Sequence, residues 1–102
     1  MSDLCLMLTP PQRGAALVAL SEAPGTDFMG WHRDAADAIR SPGCSTERLA
    51  STAYCALSHL LALHRDGYRP RSAALAADAL AAYHRIAAAY GWQASAQTVH
   101  PV

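Results

Sequence analysis

Cys55 and His59 stand four residues apart in the run ERLASTAYCALSHLLALHR. On a helix, that spacing puts a thiol and an imidazole on one face, one turn apart. Two chemistries use such a pair. Zinc takes cysteine and histidine ligands, but it needs at least a third protein donor; His84, in the next helical run, is the candidate. A Cys–His nucleophilic couple needs an orienting group and an oxyanion hole. No glycine-rich turn adjoins Cys55 to build one. The plainer reading is a mixed polar flank. Arg48, Thr52 and Asp66 share a sector of about 60° with Cys55 and His59, turned away from the leucines. Arg48, Thr52, Cys55 and His59 are therefore expected to form a polar stripe, facing the preceding helix or solvent, with no bound metal and no catalytic residue.

Three other groups have chemical potential. His64 falls among Leu57, Leu60 and Leu61, so it is expected to be buried, neutral and hydrogen-bonded, with a pH switch as the alternative. The turn HRDGYRPR gathers Arg65, Arg69 and Arg71 around Tyr68. An aromatic residue among arginines can hold phosphate or stack a base; solvated loop arginines near the carbonyl end of a helix are the plainer reading. In Trp31-His32-Arg33-Asp34 the tryptophan reads as a core aromatic with polar neighbours.

These residues need helices to position them. The stretch 46–90 reads as two helical runs joined by a short turn, which makes them antiparallel neighbours and the expected centre of the fold. Ser45 is the expected cap of the first run, with Glu47 in its first turn. Leu49, Ala53, Leu57, Leu60 and Leu63 share one face, and Gly67 is the stop. In the second run Leu75, Ala79, Ala82, Tyr83, Ile86 and Tyr90 make the apolar stripe, with Asp78 and Arg85 together on another side. Gly91 ends that run, and Trp92 is expected to fold back onto the core.

Earlier in the chain, Thr9 caps a helix that starts with Pro10. Leu17, Val18 and Leu20 supply its apolar side, and Pro24-Gly25 ends it. A further helix runs from Asp27 to about Arg40. Its buried face is Phe28, Trp31, Ala35 and Ile39, and Arg33 and Asp37 are spaced to pair. Residues 1–8 read as an extended arm laid on the bundle, or an edge strand. Residues 93–102 read as a polar, partly disordered tail. The expected fold is thus all-α: one domain over 1–102, a small antiparallel bundle of about four helices with a short N-terminal extended arm.

Composition narrows the function. Eight basic residues, all arginine, balance eight acidic ones, so no global field steers a nucleic acid or membrane partner. Cys5, Cys44 and Cys55 are odd in number and lack CxxC spacing, which suits a reducing cytoplasm. The apolar LCLML run has no basic residues before it and meets Pro10-Pro11, so it does not read as a signal peptide. No apolar stretch is long and pure enough to span a membrane. Much of the apolar content is alanine, which leaves few large side chains for the core and makes self-association an expected source of stability.

The segment 48–72, with AYCALSHLLAL followed by GYRPRS, resembles the signature helix of HEPN domains, an AYYAxFHAAxALL-type run before a turn that holds Gly and often Pro. Ala53, Tyr54, Ala56, His59, Ala62 and Leu63 fall at matching places; Cys55 and Ser58 replace aromatic positions. The resemblance covers roughly a quarter of the chain. It implies an up-and-down helical bundle, commonly dimeric. Many members are ribonucleases of toxin–antitoxin or defence systems, using an Arg followed by a His four to six intervening residues later. No Arg and His here have that spacing, so no catalytic residue is carried over. What the resemblance leaves is binding of partners or nucleotides.

The function expected is a non-catalytic helical binding or interaction module, self-associating and acting through protein–protein contacts, with no cofactor. Exposed apolar surface is its expected hallmark. One alternative is a HEPN-like protein that binds RNA or nucleotide through Arg65, Tyr68, Arg69 and Arg71. Another is a metal- or thiol-dependent enzyme at Cys55 and His59.

Overall fold

A computed structural model describes residues 3–22, 30–43, 45–67 and 72–92. The described chain is all-helical: α1 Leu4–Met7, α2 Pro10–Glu22, α3 Trp31–Arg40, α4 Glu47–Arg65 and α5 Ala73–Tyr90. No helix among the described residues is long and apolar enough to cross a membrane.

The helices start where capping chemistry allows. Thr9 and Gln12 satisfy each other reciprocally at the head of α2. The Gln12 N–H donates to Thr9 Oγ1 at 3.3 Å and the Thr9 N–H donates to Gln12 Oε1 at 3.0 Å, a capping box around Pro10. Thr46, not Ser45, caps α4 by accepting from the Leu49 N–H at 3.3 Å. Ser45 is buried and accepts instead from the Leu4 N–H at 3.2 Å. Ser72 caps α5.

Residues 4–7 form one helical turn, not the expected extended arm. Leu4 and Leu8 are both fully buried, one turn apart, while Leu6 is 71% exposed. An L-x-L-x-L pattern fits a strand, but its first and third leucines also fit one helical face. A single turn is too short to be stable alone. Asp3 holds its start, accepting from the Leu6 N–H at 3.2 Å and the Gly43 N–H at 2.8 Å. Arginines hold its end. Arg13 Nη1 donates to the carbonyls of Cys5 and Leu8, and Arg85 Nε donates to that of Met7. Arg85 thus serves α1 from the side of α5 that it shares with Asp78, seven residues earlier.

α2 and α4 form the inner pair. Each packs against α3 and α5 as well as the other, whereas α1 lies against α3 and α5. The expected pairing of α4 with α5 is the most extensive contact between helices, and α2 packs on both. The buried side of α2 is Ala15, Ala16, Ala19 and Leu20; Leu17 and Val18 are only half-buried. Of the expected apolar side, Leu20 is in the core and Leu17 and Val18 pack against it, while small alanines let neighbouring helices approach closely. Among the described residues, eleven of the twenty-one buried apolar ones are alanines, which makes close helix approach the main packing device.

In α4 the buried face is Ala50, Ala53, Ala56, Leu57, Leu60 and Leu61. Leu49 packs half-buried against it and Leu63 stays half-buried at its margin. His64 is likewise half-buried, not a core residue. The expected stripe of α5 holds: Ala79, Ala82, Tyr83 and Ile86 are buried, with Leu75 and Tyr90 packed at its ends. Ala35 and Ile39 of α3 are buried as expected, together with Ala36; Phe28 lies outside the described residues. Asp37 pairs with Arg40 at 3.4 Å, and Arg33 Nε reaches Asp34 at 4.0 Å, in place of an Arg33–Asp37 pair.

Candidate functional site

The polar stripe of α4 becomes the floor of an open groove of about 870 Å³. Arg48, Ser51, Thr52, Cys55 and His59 line it from α4, Trp31 and His32 from the start of α3, and Trp92 from the end of α5. Arg48 and His59 are eleven residues apart, so the floor is about 16 Å long. That volume is within the range of ligand sites.

Each wall has a local cause. Trp31 was expected in the core, yet it is 39% exposed. It is the first residue of α3, where Gly30 takes a left-handed φ of 72°. The indole stands at the rim and carries the Arg48 guanidinium above its ring, 4.6 Å from the centroid. Such a contact is worth about 0.5–1 kcal/mol at an exposed site. It also limits the rotamers open to a long side chain. Among the described residues no carboxylate pairs with Arg48. Glu47, the carboxylate of the lining, makes no ion pair there either.

Trp92 is placed by the end of α5. Gly91 takes the left-handed φ of 72°, its N–H reaching Ala88 O at 3.4 Å, while the Trp92 N–H donates to Ala87 O at 2.8 Å. This paired stop turns the chain back over the helix. Trp92 then stacks on Tyr90 with centroids 5.0 Å apart and meets Tyr54 edge-on at 5.1 Å. Tyr54 stacks on buried Tyr83 at 4.3 Å. Trp92 does fold back, as expected, but onto an aromatic ladder whose outer rung lines the groove. Burial, then a hydrogen bond with Tyr83 and the neighbouring Tyr83 and Cys55, push the Tyr54 hydroxyl up to about 12.

Thr52 Oγ1 donates to the Arg48 carbonyl one turn back at 2.9 Å. Cys55 is a free, exposed thiol. His59 is half-buried, and no group among the described residues hydrogen-bonds its ring. Among the described residues no cluster of three His, Cys, Asp or Glu could hold a metal. His84 is exposed, with its ring edge-on to Tyr83 at 5.6 Å.

The structure therefore brings Arg48, Thr52, Cys55 and His59 to one concave face. It leaves Arg65 away from that lining, with its Nε 3.0 Å from Asp66. Tyr68, Arg69 and Arg71 lie outside the described residues, as does Cys44. Sequence reasoning missed both tryptophans of the groove. The signal for Trp92 was present in Gly91; for Trp31 there was none, because its helical phase matched Ala35 and Ile39. Among the described residues, exposed large apolar surface is confined to Leu6 and Trp31, so the more distinctive feature is a mixed aromatic and polar concavity.

Comparison with protein-family models, with curated proteins and with solved structures finds no match to this chain.

Proposed function

We propose that this chain is a non-catalytic interaction module that acts through protein–protein contacts, with the groove along α4 as its contact face. The observation that carries the reading is the Arg48 guanidinium laid on Trp31, with the second indole, Trp92, in the same lining. Tryptophan, tyrosine and arginine are enriched where protein partners bind most strongly, because they offer large, semi-rigid contact area with a polar tip. A floor of hydroxyl, thiol and imidazole groups supplies hydrogen bonds along that area. The lack of an orienting partner for His59 among the described residues fits a binding role better than a Cys–His nucleophile.

Cys55 offers the means of testing this. A photoactivatable cross-linker on Cys55, in a variant with Cys5 and Cys44 changed to Ala, should capture a discrete polypeptide in cells of the source organism. Capture should fall in Arg48→Ala and Trp92→Ala. Cross-links to RNA alone, or capture indifferent to both substitutions, would overturn the proposal. Sedimentation equilibrium of the purified chain reports separately whether the polypeptide held is a second copy.

A further inference from the structure

Arg48 is the arginine of the groove lining, and it rests against an aromatic ring before any ligand arrives. Its guanidinium carbon lies over the Trp31 ring, 4.6 Å from the centroid, a contact that uses none of its N–H donors as hydrogen bonds to oxygen. A planar fork of donors matches a carboxylate two oxygens at a time. No carboxylate among the described residues occupies that place, although Glu47 is its neighbour in sequence and lines the same groove. A long cation is thus held with no counter-charge among the described residues at one part of the floor. Elsewhere in the same lining Trp92 offers an indole stacked on Tyr90, suited to apolar or aromatic contact.

We infer that the groove takes an acidic segment of a partner polypeptide. An aspartate or glutamate carboxylate meets Arg48, and a nearby aromatic or apolar side chain lies against Trp92. This rests on the reading of the groove as a protein-docking face, and it adds the chemistry of the occupant. The carboxylate supplies the missing charge at a cation whose rotamer cost has been lowered by Trp31. Glu47 works against such a ligand, so it should limit affinity and help discriminate between partners. Serine, threonine and histidine along the floor can add hydrogen bonds to the backbone of the bound segment.

The test uses the full chain, isotopically labelled, and three probes: a capped eight-residue peptide of alternating Glu and Phe, its Lys–Phe counterpart, and oligouridylate. The Glu–Phe peptide should shift the amide signals of Thr52, Cys55 and His59 and the indole signals of Trp31 and Trp92. Arg48→Gln should weaken it by about tenfold, and Arg48→Lys, which keeps the charge without the fork, by less. Glu47→Gln should strengthen it by roughly twofold to fivefold. An unchanged spread of amide signals in each variant shows that folding is intact. Equal or tighter binding of the Lys–Phe peptide in the groove would overturn the acidic occupant while leaving the docking face standing. Binding of oligouridylate there without the Glu–Phe peptide would overturn both. No groove shift with any probe overturns the acidic occupant, and the Cys55 cross-link decides the docking face separately.

Discussion

Arg13 of α2 donates from one guanidinium nitrogen to the carbonyl of Cys5 at 2.7 Å and to that of Leu8 at 2.8 Å. One arginine therefore closes the carbonyl end of α1 and ties it to the inner helix pair. Hydrogen bonds to a charged group contribute about 1.5–3 kcal/mol. Arg13→Met should cost stability by about 1–3 kcal/mol in urea unfolding. It should also release residues 3–8 enough for buried Cys5 to react with an alkylating reagent, followed at that site by mass spectrometry. A Cys5 as protected as in the unaltered chain would show that α1 holds without the clamp.

Leu57 and Trp31 test where the core lies. Leu57 is fully buried on the inner face of α4, so Leu57→Ala should cost about 2–5 kcal/mol. Trp31→Ala removes a larger side chain from the rim and should cost about 1 kcal/mol or less, mainly its contact with Arg48. A loss of about 3–5 kcal/mol at Trp31, the usual cost of deleting a core aromatic, would contradict its place on the groove.

The tyrosine pair predicts an alkaline signature. A free tyrosine titrates near 10.0, and Tyr54 is pushed to about 12 by burial first and by Tyr83 next. Its folded state binds a proton that the unfolded chain releases, so this contribution to stability is complete below about pH 10 and disappears as pH rises toward 12. Tyrosinate absorbance should show late titration of Tyr54, lost in Tyr54→Phe, and Tyr83→Phe should bring it back toward 10.0. Titration of Tyr54 near 10.0 in the unaltered chain would refute the shift.

Gly91 links the fold to the groove. Its φ of 72° is one that an L side chain adopts only with strain, at about 1–2 kcal/mol. Gly91→Ala should lower stability by about that amount and displace Trp92 from Tyr90 and Tyr54, read as a change in Trp92 fluorescence in a Trp31→Phe background. An unchanged emission with full stability would mean that the turn does not place the indole.

Some of this was decided within single helices, and there the sequence sufficed. The Thr9 cap before Pro10, the stops at Gly67 and Gly91, the apolar stripe of α5 and the polar stripe of Arg48, Thr52, Cys55 and His59 all follow from capping chemistry and a 100° period. These depend on neighbours three or four residues away. The rest was decided only by packing. Alanine is nearly as acceptable outside a helix bundle as inside, so the inner face of α2 carried too little contrast to be read. Residues 4–7 lack the length to choose a helix unaided, and Asp3, Ser45, Arg13 and Arg85 choose it for them from sites up to 78 residues away. Trp31 shares the phase of Ala35 and Ile39, but as the first residue of α3 it stands beyond the end of the core. What lies beside it there is Arg48, and that proximity exists only once α3 and α4 have packed.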